Sequence, residues 1–463
     1  MSIIGAFIMP HPPIIIPAVG KGEEAKISKT VNAYRKAAEL IASMKPETIL
    51  VTTPHSVTYA DYLHISPGSS AKGSFARFGA PQAAAEFTYD TEFVAALTGE
   101  AKKAGIPAGT FGEKDPSVDH GALVPLTFVN EACKSPYRLV RCSVSGLGPL
   151  VHYNYGKCIA ETAEKLGRRT VIIASGDLSH KLKVDGPYGF AKEGPEFDRQ
   201  ATDAMKSAGF MRFLTFDNEF CEAAAVCGLP SFTIMAGAFD RIALQTDFLS
   251  YEGPFGVGYA VCAFTPLGKD ESRDFGSQYM EYRHKAMNKR RGSEDAYVRL
   301  ARLSLESWVG KGRRISAPEG LPDEMLQKRA GVFVSLKKDG ILRGCIGTIL
   351  PTQENTAEEI MRSAVSAGTR DPRFSPVAPD ELPDIVYSVD VLGAPEPVSS
   401  ESELDVKRYG VIVQAGGGRC GLLLPDLPGI DTVKAQLHIA MRKGGIKPSD
   451  SYSVERFQVV RHT

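Results

Sequence analysis

Four short apolar runs, IIGAFIM, TILVTT, RLVRCSV and TVIIAS, fall within the first 175 residues and alternate with longer stretches of helical periodicity. A run that is apolar at nearly every position and too short for a helix suits a strand buried on both faces. Helices between such strands act as crossover connections, which favours a parallel sheet covered on both sides. Between the first two runs, Lys21 to Met44 carries Ile27, Val31, Tyr34, Ala38 and Ile41 at helical spacing, which predicts a helix with one apolar face. Further helices are predicted at about Thr91 to Ala104, closed by Gly105, and about Asn154 to Leu166. Strands are expected at Thr48 to Thr53, Tyr137 to Val144 and Thr170 to Ala174. The fold class expected for this region is α/β, with a mostly parallel central sheet flanked by helices.

At 463 residues the chain is longer than one average domain. Its 54 basic and 54 acidic side chains cancel, so no global field draws in nucleic acid or an anionic membrane, and neither is expected as a partner. The opening MSIIGAFIMPHPPIIIPAVG has no basic start and is broken by prolines, so it reads as a first strand rather than a leader or a membrane span. Eight cysteines, at 133, 142, 158, 221, 227, 262, 345 and 420, form no CxxC pair. Reduced thiols and a cytoplasmic setting follow as expectations.

Residues 265–292 turn polar and charged after the run FGVGYAVCAFTP and are expected to form a linker between a domain at 1–264 and another at 293–463. In the second region Ser293 is the expected N-cap, with Glu294 and Asp295 in the first turn. Tyr297, Leu300, Ala301 and Trp308 supply an apolar stripe, and GVFVSL and ILRGCIGTIL are two strands joined through a Lys-Asp-Gly turn. Helices near Thr356 to Ala367 and Thr432 to Lys443, with further strands in DIVYSVDVL, GVIVQ, GLLLP and FQVV, predict a smaller α+β domain.

Four histidines of the first region sit in or just beyond its apolar runs: His11 in IMPHPP, His55 in VTTPHS, His120 in SVDHGALVPL and His180 in SGDLSH. The carboxyl ends of parallel strands are where open α/β sheets build their sites, and neutral imidazole is the commonest protein metal ligand. His11 and His55, each stiffened by adjacent prolines, are the candidate ligands, since two histidines and a carboxylate leave iron(II) open positions for substrate and dioxygen. His180 is the candidate general base, with Asp177 near enough to orient a ring or hold a water. His120, beside Asp119, can steer a developing oxyanion or cap the helix that follows it. His64 and His152 are read as structural or exposed.

With VDHGALVPL, the SH segment and the early histidines in hand, residues 1–264 resemble the catalytic chains of class III extradiol ring-cleavage dioxygenases and their non-enzymatic Memo-like relatives. The resemblance implies iron bound by two histidines and a glutamate, a further histidine as base, and a small aromatic substrate. It assigns ligand roles to His11 and His55, an active-site role to His120 and the base role to His180. In EFCEAAAVCGLPSFTIMAGAF the position of the glutamate aligns with Cys227, as in Memo, while Glu222 lies five residues earlier. Both remain third-ligand candidates; Fe(II) is the first expectation, and a thiolate would suit Zn or Cu as well.

LRGCIG at Leu342 to Gly347, TRDPRF and GGGRCGLLLP resemble the AMMECR domain across residues 293–463. Arg343, Cys345, Arg370 and Arg373 are its binding candidates. The two readings that follow are extradiol cleavage of a catecholic or aminophenolic substrate with dioxygen, and a Memo-like metal-binding module. The second is implied to act with a radical S-adenosylmethionine protein partner. The sequence assigns no oligomeric state.

Overall fold

The apolar runs form the strands that their composition demands: β1 (Ile3–Met9), β2 (Thr48–Thr53), β3 (Arg138–Ser143) and β4 (Thr170–Ser175). The structure, a computed structural model, describes residues 2–113, 115–427 and 429–463. Every residue of β2 and β4 is buried, as strands covered on both faces require. Two longer strands, β5 (Ile242–Glu252) and β6 (Tyr259–Lys269), complete a sheet of order β3-β2-β4-β1-β6-β5. The first four strands run parallel, while β6 is antiparallel to β1 and β5 antiparallel to β6.

Alternation along each strand separates two cores. Phe7, Met9, Ile49, Val51 and Ile173 pack with Tyr34, Ala38 and Ile41 of the helix Ser28–Met44. Ala6, Ile8, Leu50, Ile172 and Ala174 pack on the other face with Tyr155 and Ile159 of the helix Pro149–Lys165. That helix starts earlier than its apolar period suggests because Pro149 occupies its first turn, where a missing N–H costs nothing. With crossovers on opposite faces, the carboxyl ends of β1, β2 and β4 open into one crevice.

The chain divides into units at 1–283 and 284–463. The stretch expected as a linker is mostly ordered structure: β6 runs to Lys269 and a helix spans Phe275–Ser293. Phe275 and Tyr279 anchor it in the core of the first unit, a contact made by too few apolar residues to show as a period. Ser293 ends this helix rather than capping the next. Asp295 is the cap of Ala296–Lys311, its carboxylate accepting the N–H groups of Tyr297 and Val298 at 3.0 Å each, and Glu294 is buried against Arg302.

The second unit is α+β. One antiparallel sheet orders Ile341–Gly347, Val332–Lys338, Ile385–Leu392 and Val459–His462 under the helices Ala296–Lys311 and Thr356–Thr369. A second sheet carries the helix Val433–Lys443. Among the described residues no helix is long and apolar enough to cross a membrane.

Candidate metal centre

Backbone geometry brings residues from five loops to the crevice. The Tyr34 phenol donates to the carbonyl of Pro10 and fixes the turn after β1. The His11 N–H donates to Asp177 Oδ1 at 2.8 Å, tying that turn to the loop after β4. Asp119 caps the helix His120–Ala132 by accepting the Ala122 N–H, and it also accepts the Thr53 hydroxyl at 2.7 Å. His120 is therefore the first residue of a helix whose cap is its neighbour. Gly121 is required for this approach, since a Cβ there would meet Thr53 Oγ1 at 2.4 Å. A second close crossing sets Cys227: a Cβ on Gly176 would lie 2.1 Å from the Gly228 Cα. The Gly228 N–H donates to the Asp177 carbonyl at 3.0 Å.

The rings converge on His11, which is 2% exposed. Its Nδ1 lies 3.0 Å from Ser175 Oγ, and that hydroxyl donates to the Gly121 carbonyl at 2.5 Å. Nδ1 must then carry the proton, and Nε2 presents its lone pair to the crevice. His55 Nε2 is 2.9 Å from His11 Nε2. Two nitrogens held about 2.1 Å from one ion at a right angle would be about 3 Å apart, so this pair fits a metal. His120 completes one group of three donors with His11 and His55; Asp177 and Cys227 form another with His11, all within 4.8 Å. Cys227 Sγ is 3.8 Å from His11 Nε2, and Asp177 Oδ2 is 3.7 Å from Nε2 of both His11 and His180.

Burial sets the charge states. It lowers the pKa of His11, His55 and His180, and brings His120 down to about 4 with help from neighbouring His55. All four are neutral near pH 7, the state that ligands and a base need. The same burial pushes Asp177 up to about 7 and raises the Cys227 thiol. The His180 Nδ1–H donates to the Ala225 carbonyl at 2.6 Å, leaving Nε2 as an acceptor.

A cavity of about 760 Å³ opens over His11, His55, His120, Asp177 and His180, walled by Phe78, Tyr188, Phe255 and Tyr259. Glu222, in contrast, is exposed on the helix Asn218–Ala224 and stands outside both donor groups. His152 is a satisfied core residue, its Nδ1–H donating to the Gly148 carbonyl at 3.1 Å and its Nε2 accepting the Ser145 N–H at 3.3 Å. His64 is buried as well, its Nδ1–H donating to the Phe111 carbonyl.

Asp198 was not legible from the sequence. Its buried carboxylate accepts the Ser179 N–H at 2.8 Å and the Tyr251 hydroxyl at 2.7 Å, holding the loop that carries His180. It lies mid-helix without a motif. Ser175, at the end of an apolar run beside Gly-Asp, could have been flagged as an orienting hydroxyl.

The profile of the catalytic LigB subunit of aromatic ring-opening dioxygenase matches residues 5–262. The chain belongs to this family. An AMMECR1 profile matches residues 298–462, so the LigB-like unit is joined to an AMMECR1 unit. A protein of Clostridium acetobutylicum is 39% identical over 479 aligned positions, covering 100% of this chain and 99% of that one. A protein of Thermotoga maritima is 53% identical over 171 positions, covering 36% of this chain and 98% of that one. A solved structure of an uncharacterized protein from Pyrococcus horikoshii is 31% identical, covers 36% of this chain and 88% of that one, and has a TM-score of 0.34.

In the AMMECR1 unit three of the four binding candidates are engaged internally. Arg343 grips Glu381 at 3.0 and 2.8 Å and donates to the Ser375 carbonyl. Asp371 accepts the Cys345 N–H at 2.8 Å and is clasped by Arg373 at 2.9 and 2.7 Å. Burial raises the Cys345 thiol, which accepts from the Ser335 hydroxyl at 3.2 Å. Gly344 lets the strand touch the helix above it, since a Cβ would meet the Ala367 carbonyl at 2.2 Å. Arg370 stands apart, exposed at the end of the helix Thr356–Thr369.

Proposed function

We propose that the LigB-like unit binds a divalent metal, ferrous iron first, through His11 and His55 with Cys227 as third ligand. On this reading it is an oxidoreductase that opens a catecholic or aminophenolic ring with dioxygen. The observation that carries this is the pair of Nε2 atoms 2.9 Å apart on the floor of an aromatic-walled cavity. Bound iron would supply adjacent open positions for the ring oxygens and dioxygen.

The protein's own part is binding and proton handling. Phe78, Tyr188, Phe255 and Tyr259 offer aromatic walls against which a planar ring can pack. His180 Nε2, neutral and facing the cavity, accepts the phenolic proton as the substrate docks. Asp177, 3.7 Å from that nitrogen, stands where its carboxylate can receive the proton. His120 lies against His55 with ring centroids 4.2 Å apart and directs its neutral ring toward charge developing on the substrate. The free cysteines suit a reducing cytoplasm.

Cys227 beside His11 favours a second reading, a Memo-like metal-holding module that serves a radical S-adenosylmethionine partner, with zinc or copper as alternatives. Anaerobic loading with ferrous iron, then oxygen and a panel of catechols and aminophenols, separates the two. Yellow ring-opened product that disappears in His180→Ala is expected. No product from fully loaded protein would overturn the enzyme reading and leave the second.

A further inference from the structure

We propose that the AMMECR1 unit binds a small phosphate monoester in a cavity lined by Arg314, Arg362 and Arg370. The cavity, about 280 Å³, lies between the helices Ala296–Lys311 and Thr356–Thr369 and the loop that follows the first of them. It is near the small end of ligand sites, which span about 300–1,000 Å³. Helical spacing builds its main wall, because Glu358, Met361, Arg362, Val365 and Ser366 share one face of their helix.

The charge pattern names the ligand. Several arginines of this unit close onto carboxylates, among them Arg302 on Glu294, Arg343 on Glu381 and Arg461 on Asp390. Among the described residues no side chain forms an ion pair with Arg314, Arg362 or Arg370, although all three converge on one concavity. Glu358 is the single carboxylate in the lining, so two positive charges stay unmatched. A phosphate monoester carries about −1.5 to −2 at pH 7 and offers three acceptor oxygens to guanidinium groups. Met361, Val365 and Ile315 provide an apolar surface for the body of the molecule. Arg370 thus separates from Arg343, Cys345 and Arg373, with which the sequence grouped it.

Calorimetric titration of the full chain tests this with phenyl phosphate as probe, inorganic phosphate as a minimal ligand and benzoate as a monoanion of similar body. Phenyl phosphate should bind more tightly than either. Arg362→Gln/Arg370→Gln, at two exposed positions, should weaken it by about tenfold or more, as expected for lost charge-assisted bonds. Glu358→Gln should tighten it. No heat with phenyl phosphate, equal binding of benzoate, or unchanged affinity in the double variant would overturn the proposal. If the double variant does not fold, unchanged affinity in Glu358→Gln overturns it instead.

Discussion

The histidine crevice of the first unit and the LRGCIG segment of the second spend their polar groups in opposite ways. At the crevice, second partners consume the Nδ1 protons of His11 and His180, and the Nε2 atoms are left facing a cavity. In LRGCIG the guanidinium of Arg343 closes on Glu381 and nearby carbonyls, and the N–H of Cys345 closes on Asp371, which Arg373 clasps in turn. The polar groups of a distinctive hexapeptide are thus engaged internally, while commonplace histidines line the crevice proposed above as the metal site. What separates the two is unspent donor and acceptor capacity, which only three-dimensional contacts reveal.

The largest loss is expected from substitution at Gly176. The Gly176→Ala methyl would meet backbone that has no room to move, so a loss of about 3 kcal/mol is expected. Metal content should fall with it, both readable from urea unfolding and metal analysis. Arg343→Ala should cost about 2 kcal/mol by leaving Glu381 and backbone carbonyls short of a partner, yet leave metal content unchanged. Metal loss in that variant would mean that the LRGCIG segment and the crevice are not separate.

Acid acts on the two regions over different pH ranges. Arg343 holds Glu381 down at about 2, against an ordinary value of 4.5. The stabilisation is complete above the ordinary value and is lost as pH falls from there toward the folded one. Urea midpoints should record this decline in the wild type and a smaller one in Arg343→Ala. The crevice responds at higher pH: Asp177, raised to about 7 by burial, must give up its proton beside a bound cation. Metal affinity should rise by up to about tenfold per pH unit for this proton, on top of the rise from deprotonating the Cys227 ligand, and Asp177→Asn should remove only the first of these contributions.

Much of the architecture was legible because buried strands and amphipathic helices write their periods into sequence. The parallel strands and the helix Ser28–Met44 follow from the placement of their apolar residues. The helix Phe275–Ser293 was hidden because two aromatic residues carry its anchoring while its other faces are charged. At the site, strand ends located His11, His55 and His180. The resemblance aligned Cys227 with the glutamate but left Glu222 open as well, because their separation depends on the Gly176–Gly228 crossing that brings Cys227 to His11. Asp198 and Tyr34 were invisible for the same reason, since each acts on backbone more than a dozen residues away.

If His11 and His55 hold a metal, His55 offers the cleanest test, because its side chain is exposed while that of His11 is buried. The full chain and His55→Ala should be loaded anaerobically with ferrous iron, desalted and assayed for metal. About one iron per wild-type chain is expected, and a small fraction of that in the variant at equal thermal stability of the metal-free forms. Equal iron content in the two proteins would contradict this ligand pair.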